Sequence, residues 1–380
     1  MFLIALPMLL LSARSAHANC ECGYAIDDST VFTEAVETDF LHLEDLAPDA
    51  NHTWIPQAYN VTRTAARGPY GKSSQVENVV PNPVHGGQFD WLGPGIRAED
   101  PGLQLWVRSA LLPSSSSSSP ISSPEDGEMV PMAEIVSSRD DVLYGSFRIG
   151  MKTTSVPGTC AAFFFYFNDS NEIDMEFLSK QNVNKTINLV IQSPESASRG
   201  YASGSDFDTR TLAFGSQEGY NEYRFDWRPG RVDFYANSVL LSSISDNVPQ
   251  SAGKIHVSHW SNGNDGWSAG PPKEDAVMTV SYVKAYFNSS DAGVTTKSLE
   301  SCTEAASQQV CRVPDQTAPP DPGGVNGNET GHTTFFTLPG SNATIDDDDD
   351  PPQKGDGSRC VFPEAWWTAS IAFAIVLLFT

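Results

Sequence analysis

Residues 171–177, with the sequence Asn-Glu-Ile-Asp-Met-Glu-Phe, alternate acidic and apolar side chains along most of their length. A β-strand points successive side chains to opposite faces, so Glu172, Asp174 and Glu176 would share one face and the apolar residues the other. The apolar face can pack into a core, whereas the acidic face must meet water or a ligand. Because three neighbouring like charges repel one another, their alignment predicts a functional site. The alternative is the acidic solvent face of an ordinary strand.

The crowding of the three carboxylates indicates acid–base chemistry. They cannot all ionise at their ordinary pKa, so at least one keeps its proton near neutral pH. A proton donor beside an ionised carboxylate is the pair that a retaining glycosidase uses, with carboxyl groups about 5–5.5 Å apart. Strand residues four apart have Cα atoms about 13 Å apart. The long side chains of Glu172 and Glu176 suit this gap on a twisted strand, because two Asp side chains would not close it.

The same segment resembles the Glu-x-Asp-x-Glu signature of glycoside hydrolase family 16, in the version without an extra residue before the last Glu. The resemblance is strong over residues 140–287 and weak before them. It implies a β-jelly-roll that acts with retention on β-glucans, xyloglucan, chitin–glucan or related polysaccharides. By position, it implies that Glu172 is the nucleophile, Asp174 the assisting carboxylate and Glu176 the general acid/base. Flanking segments agree with it: 143–147, 151–152, 223–227 and 232–235.

A polysaccharide cleft also needs flat aromatic faces on which sugar rings can stack. Trp260 and Trp267 are the candidates, and Trp260 lies where the resembling family has a cleft aromatic. Half-buried core positions are the alternative for both. Tyr166 and Gln192 are candidates to line the same face from neighbouring strands. His259 is a candidate to assist at the cleft, and an ordinary surface position without a function is the alternative.

Short alternating runs and turn signals recur along the chain, with little sign of long amphipathic helices. The run 103–108 alternates, and 277–287 predicts a last long strand. Residues 223–227 lead through the turn 228–231 into 232–235, which predicts a hairpin. Many strands without intervening helices predict an all-β fold, a two-sheet β-sandwich of the concanavalin-like jelly-roll type.

Composition divides the 380 residues into regions. Residues 19–288 are predicted to form the catalytic jelly-roll domain. A Ser-rich loop insertion interrupts it at 113–128, for which a binding or glycosylated tract is the alternative. From 289 to 364 the chain is rich in Gly, Pro, Thr, Asp and Asn, which predicts a disordered stalk that cannot bury a core.

Both ends are typical of targeting segments. Residues 1–18 are mostly apolar and end in Ala-His-Ala, which predicts a secretory signal peptide. Residues 365–380 are an uncharged run, shorter than the roughly 20 residues of a spanning helix and with no basic residues after it. With the small residues at 355–358, this run predicts a glycosylphosphatidylinositol attachment signal, and a C-terminal membrane anchor is the alternative. The expected location is the cell surface after secretion.

The net charge limits the partners of the chain. Its 47 acidic and 23 basic residues give a charge of −24, which argues against nucleic acid and anionic membrane surfaces. A polysaccharide is the expected partner, and the chain is expected to be monomeric. Contact with a membrane is expected only through the C-terminal lipid anchor. The chain has no His or Cys cluster with metal-ligand spacing and no glycine-rich phosphate loop, so neither a metal nor another cofactor is expected.

The cysteines and the glycosylation sequons both fit the secretory route. Cys20 and Cys22 are each expected to pair with Cys302 or Cys311, and the sequence leaves the connectivity open. Cys160 precedes an apolar run and is predicted to be a buried free thiol. Asn-x-Ser/Thr sequons occur at Asn51, Asn60, Asn168, Asn184, Asn288, Asn328 and Asn342.

The function predicted from these observations is a retaining glycoside hydrolase of β-linked glucans or related cell-wall polysaccharides, acting by double displacement. A first alternative is a cell-wall transglycosylase that uses the same residues with a sugar hydroxyl as acceptor. A second is a lectin-like module that binds glycan without cutting it, and a third is a structural wall protein.

Overall fold

A computed structural model describes residues 20–46, 53–86, 90–113, 127–305, 308–323 and 333–338. The predicted signal peptide, the serines of the Ser-rich insertion and the anchor signal lie outside these residues, as do Asn51, Asn328 and Asn342. The described chain consists mainly of β-strands. Its α-helices are α1 (Arg63–Ala66), α2 (Pro194–Arg199) and α3 (Ala292–Glu304).

The strand with the three carboxylates lies inside a large sheet, called here the front sheet. Its strands pair antiparallel, except that the strands Gly71–Ser74 and Met129–Ser137 pair in parallel. In spatial order the front sheet consists of β14 (Phe207–Thr211), β13 (Thr186–Gln192), β12 (Asn171–Leu178), β11 (Cys160–Asn168), β18 (Lys254–Trp260), β9 (Met129–Ser137), β6 (Gly71–Ser74) and β5 (Tyr59–Val61), with β4 (Trp54–Pro56) also paired to β9.

A second large sheet, called here the back sheet, packs behind the front sheet. In spatial order the back sheet consists of β17 (Val239–Ile244), β16 (Arg231–Ala236), β15 (Asn221–Arg228), β10 (Val142–Lys152), β19 (Ala276–Ser289), β8 (Gly102–Val107) and β7 (Val79–Asn82), with β3 (Glu34–Asp39) also paired to β19.

A smaller, third sheet joins the beginning of the described chain to a segment near residue 311. It consists of β2 (Val31–Phe32), β1 (Tyr24–Ala25) and β20 (Cys311–Arg312).

The core lies between the front and back sheets. Ile173, Met175 and Phe177, the apolar partners of the acidic residues on β12, are almost completely buried there. Aromatic rings from the two sheets meet in this layer: the Phe165 and Trp227 ring centres are 4.3 Å apart. Burial of each large apolar side chain contributes roughly 1.5–3 kcal/mol. The layer confirms the predicted all-β, two-sheet class.

The predicted strands and hairpin are confirmed in place. The run 103–108 corresponds to β8, and 277–287 lies within β19. The strands β15 and β16 pair antiparallel up to Arg228 opposite Arg231, so Pro229 and Gly230 alone form the turn. Gly230 has a φ of +73°, a conformation that suits glycine in such a tight turn.

The prediction that residues 289–364 form a disordered stalk is wrong for the first part of this range. Residues 292–304 form α3, and Val313 and Phe335 are buried against the β-domain. Arg148 on β10 donates a hydrogen bond to the Pro314 carbonyl at 2.8 Å. The average polarity of this region hides the few apolar residues that the back sheet buries, and such residues are enough to dock a segment that is also covalently tethered.

Disulfides provide that tether. Cys20 bonds to Cys311 and Cys22 to Cys302, which confirms the predicted partners and decides between the two pairings left open. Cys160 is a buried free thiol, also as predicted. No helix among the described residues is long and apolar enough to cross a membrane.

Candidate active site

The floor of the candidate site is the face of β12 that points away from the core. Glu172, Asp174 and Glu176 all lie on this face, opposite Tyr166, Phe164 and Ala162 of β11. Their β12 neighbours on the other face are in the core. The two-residue period of the strand thus separates the carboxylates from the apolar side chains, as the sequence predicts.

Glu176 is held by donors from two other parts of the fold. The Cys160 thiol at the start of β11 donates to Glu176 Oε1 at 3.3 Å. The Trp267 indole Nε1 donates to the same oxygen, also at 3.3 Å. Trp267 belongs to the loop after β18, and its ring centre lies 6.0 Å from that of Phe207 at the start of β14. This aromatic pair places the indole above the carboxylate.

Asp174 lies between the two glutamates and is the most buried of the three, with 4% of its surface exposed. It shares a side-chain hydrogen bond with Glu172. Its second oxygen, Oδ2, has no hydrogen-bond partner in the described part of the chain. A buried carboxyl with one unpaired oxygen favours its neutral form, so Asp174 is suited to keep its proton and donate a hydrogen bond to Glu172.

Burial raises the pKa of all three carboxyls. The pKa of Glu172 rises to about 7, because of burial and the charge of Glu176. The pKa of Asp174 rises well above its usual range, because of burial and the charges of both glutamates. Burial also raises the pKa of Glu176, and the hydrogen bonds from Cys160 and Trp267 oppose that rise. The trio therefore holds protons at pH values where isolated carboxyls would be ionised.

Lys72 on β6 supplies a positive charge on the same face. Its Nζ lies 4.5 Å from the centre of the Trp260 ring, a cation–π contact. Trp260, the last residue of β18, lies directly opposite Cys160. The ammonium lowers the pKa of both Glu172 and Glu176, so the acidic trio has a cationic neighbour that opposes the effect of burial.

A second polar cluster lies further across the front sheet. Glu134 on β9 accepts a hydrogen bond from the Tyr59 hydroxyl and lies 2.8 Å from Nδ1 of His256. The His256 ring stacks on Phe164, with ring centres 4.8 Å apart. This cluster extends a polar and aromatic surface from the carboxylates towards β5. Such a surface offers hydrogen-bonding groups for the hydroxyls of a sugar ring and aromatic rings for its C–H faces.

The structure brings four of the five other predicted residues to this face. Trp260 and Trp267 lie beside the trio as described above, and both are half-buried. Tyr166 and Gln192 lie directly opposite Glu172 on the strands either side of it. The Tyr166 hydroxyl donates to Asp169, at 2.9 Å.

His259 is not among them, because it lies on the core side of β18. It is fully buried, with Nδ1 2.9 Å from the Leu105 carbonyl and Nε2 2.9 Å from the Thr159 hydroxyl. Burial lowers its pKa to about 4, so the ring is neutral and satisfied within the fold. Strand alternation accounts for this: Trp260 faces the carboxylates, and the adjacent residue must face the core.

Comparison with known proteins relates part of the chain to one family. Residues 102–284, a little under half of the chain, match the model of Glycosyl hydrolases family 16. This stretch is called here the family 16 segment. The family 16 segment contains β12 with all three carboxylates and the two tryptophans beside them. Lys72 and Tyr59 precede it along the chain.

Several β-glucanases resemble the family 16 segment. One from Brevibacillus brevis is 31% identical over 133 residues, covering 33% of this chain and 48% of that protein. One from Paenibacillus macerans is 29% identical over 130 residues, covering 33% of this chain and 51% of that protein. The chain thus spans about half the length of the relatives it matches. A prokaryotic beta-1,3-1,4-glucanase (lichenase) structure from a mouse hindgut metagenome has a TM-score of 0.47 at 20% identity, covering 66% of this chain and 98% of that chain.

The sequence alone did not reveal Lys72, Tyr59, Glu134 or the role of Cys160. Only Glu134 carried a signal, since it is the single charged residue within the otherwise uncharged run that became β9. A lone acid among apolar strand residues is costly unless it has partners. The other three are ordinary residues of short or apolar strands, and nothing local distinguishes them.

Proposed function

We propose that residues 19–288, which contain the family 16 segment, form the catalytic domain of a retaining glycoside hydrolase that acts on β-linked glucans. The observation that supports this most is the arrangement around β12: two glutamates on one strand face, each hydrogen-bonded by a different partner. Glu172 accepts a hydrogen bond from the Asp174 carboxyl, and Glu176 accepts hydrogen bonds from an indole and a thiol. The glutamates thus have different environments, as the two different roles of a double displacement require.

In the first step, an oxygen of Glu172 forms a bond to the anomeric carbon. The bond from that carbon to the leaving sugar oxygen breaks, and Glu176 gives its proton to that oxygen. In the second step Glu176 takes a proton from water, the water oxygen bonds to the anomeric carbon, and the ester to Glu172 breaks. Both inversions together retain the anomeric configuration.

Asp174 and Lys72 support the charge changes of this cycle. A hydrogen bond from the protonated Asp174 carboxyl, together with the nearby ammonium of Lys72, stabilises ionised Glu172 before it attacks. Once Glu172 is an ester, its negative charge is gone, so the remaining carboxyls lose one repulsive neighbour. The pKa of Glu176 then falls, which suits its change from acid to base.

The substrate class follows from the surface of the cleft and from the relatives. The half-buried tryptophans and the Tyr59–Glu134–His256 cluster offer stacking faces and hydrogen-bonding groups for a neutral sugar chain. The negative net charge disfavours polyanionic chains. We further propose secretion with attachment at the cell surface, which is consistent with the disulfides and with the predicted signals at both ends.

Labelling and product analysis test this proposal directly. A 2-deoxy-2-fluoro β-glucoside with a good leaving group should inactivate the protein and leave its sugar on a peptide that contains Glu172. Early products of β-glucan cleavage should keep the β configuration by NMR. Glu172→Gln and Glu176→Gln should each lose activity by about 10³-fold or more with the fold intact. A folded Glu172→Gln protein with retained activity would remove the assignment.

A transfer assay separates the alternatives. With a fluorescent acceptor oligosaccharide added to a panel of β-glucans, a hydrolase produces new reducing ends without labelled polymer. Transfer of label into polymer would identify a transglycosylase that uses the same two glutamates. Binding with neither product would instead indicate a lectin-like module.

A further inference from the structure

A series of hydrogen bonds, called here the first arm, begins at Glu176, near the Leu178 end of β12. The Trp267 indole donates to Glu176, and the backbone N–H of Trp267 donates to the Asn264 carbonyl at 2.9 Å. The Asn264 side chain then donates to the Arg67 carbonyl at 3.0 Å. Arg67 caps the C-terminal end of α1, so this arm attaches the segment before β6 to the loop above the acid/base residue.

A second arm rises from the other end of the same strand. Gln192 lies directly opposite Glu172, and its side-chain oxygen accepts a hydrogen bond from the Ser196 hydroxyl at 2.8 Å. Ser196 belongs to α2, whose C-terminal cap is Gly200. The Gly200 N–H donates to the Ser196 carbonyl at 2.8 Å. This arm therefore fixes Gly200 above the nucleophile end of the site.

The two arms meet. Arg67 Nη1 donates to the Gly200 carbonyl at 3.0 Å. With β12 as the base, the contacts form a closed ring whose lower side contains both Glu172 and Glu176. A sugar chain whose scissile bond lies between these glutamates must cross β12 between them. It must therefore pass beneath the contact between Arg67 and Gly200.

We propose that Arg67 is a specificity-determining residue, because it closes an arch over the sugar chain at the scissile bond. This inference rests on the proposed function. A short oligosaccharide can slide lengthwise beneath a closed arch. An internal bond of a long or branched chain reaches the glutamates only when the arch opens. The side chain of Arg67 is exposed, and among the described residues one hydrogen bond from Arg67 to Gly200 closes the arch, so the arch can open and close reversibly.

The arch makes the enzyme favour chain ends and short chains over internal bonds. Attack on an internal bond is reduced by the fraction of molecules whose arch is open. A single exposed hydrogen bond alters such a fraction by about threefold to tenfold. The expected preference is therefore moderate, and removal of the guanidinium abolishes it.

Arg67→Asn tests the inference without strain. Arg67 has a φ of +58°, in the left-handed region that asparagine tolerates well, so the variant shortens the side chain and keeps the backbone. The ratio of kcat/KM on soluble polymeric β-glucan to kcat/KM on a tetrasaccharide of the same linkage should rise about threefold to tenfold. The loss of viscosity per new reducing end should rise as well, because internal bonds become accessible.

Arg63→Asn is the matched control. Arg63 is exposed on the same helix, and its side chain lies beside Gly127. This variant removes the same charge and should keep both wild-type values. A thermal melt of each variant verifies that the fold is intact.

The possible outcomes are distinct. An unchanged ratio and unchanged viscosity behaviour in folded Arg67→Asn would overturn the inference. An equal loss on polymer and tetrasaccharide would also overturn it, since Arg67 would then simply bind sugar. A wild-type protein with no activity on either substrate would contradict the proposed function instead. In that case, binding isotherms of polymer and tetrasaccharide to wild type and Arg67→Asn still test the arch, with the same expected rise in the polymer ratio.

Discussion

The indole N–H of Trp267 donates a hydrogen bond to Glu176 Oε1 at 3.3 Å, linking the loop after β18 to the carboxyl group proposed as acid/base. Trp267 thereby has a role besides the stacking surface that is proposed for it. The bond stabilises the ionised form of Glu176 and opposes the rise in pKa that burial causes. The position of one loop thus tunes the proton affinity of a group on a strand.

Trp267→Phe should raise the pKa of Glu176, because it removes this hydrogen bond and keeps an aromatic ring beside Phe207. Glu176 must be protonated to act as acid, so the alkaline limb of kcat/KM should move to higher pH. A hydrogen bond to a charged group is worth about 1.5–3 kcal/mol, so kcat/KM at the optimum should fall about tenfold or more. A pH–rate profile with an unmoved alkaline limb would show that the indole does not tune Glu176.

Cys160→Ser should move the same limb in the opposite direction. A hydroxyl is a better donor than a thiol, so it stabilises ionised Glu176 more strongly and lowers its pKa. Cys160→Ala should raise the pKa of Glu176, because it removes the donor. The pH profiles of kcat/KM for the two variants measure these shifts. Alkaline limbs at the same pH in both variants would contradict the role given to the contact between Cys160 and Glu176.

The thiol of Cys160 should be inert in the native protein. Burial and the charge of Glu176 raise its pKa well above the usual range, so almost no thiolate is present at neutral pH. Iodoacetamide at pH 7.5 should label Cys160 only after denaturation, as measured by mass spectrometry of the peptide. Rapid native labelling with loss of activity would mean that the thiol is accessible and ionised.

Lys72→Met should raise the pKa of Glu172, because it removes a positive charge that lowers this pKa. Glu172 must be ionised to attack, so the acidic limb of kcat/KM should move to higher pH. Lys297→Met, at an exposed position on α3, serves as the control for loss of one positive charge. A uniform loss of activity without movement of the acidic limb would mean that Lys72 acts only through packing or substrate contact.

The acidic trio should cost stability at neutral and alkaline pH. Glu172 has a folded-state pKa of about 7, above its unfolded value, so its proton stabilises the folded protein. This contribution to the free energy of unfolding is fully present below the unfolded pKa and is lost as the pH rises from the unfolded pKa to about 7. Glu172→Gln removes the charge and should raise the free energy of unfolding by on the order of 2–3 kcal/mol at pH 8, with little effect at pH 4.

Thermal melts at both pH values check this prediction. Glu195→Gln, an exposed position on α2, is the control for the loss of one carboxylate. The same change in melting temperature at pH 4 and pH 8 for Glu172→Gln would contradict a raised pKa in the folded state.

Local periodicity made much of the fold predictable. The alternation in 171–177 has a period of two residues, so it alone specified which side chains share a face of β12. The hairpin of β15 and β16 was equally local, because its turn is two residues long. In contrast, the docked segment after α3 escaped prediction, since average composition does not report the few residues that become buried.

The sequence by itself determined that Glu172, Asp174 and Glu176 emerge together from one face of a strand, because neighbours along a strand are fixed by backbone geometry. Only the tertiary structure decided which groups surround them. Cys160 and Trp267 donate to Glu176 from a neighbouring strand and a loop, Lys72 lies against Trp260, and Arg67 meets Gly200 across the site. Such contacts depend on strand order and loop path, which no local pattern encodes. The same distinction separates Trp260 from His259. These residues are adjacent in the chain, but Trp260 faces the site and His259 faces the core.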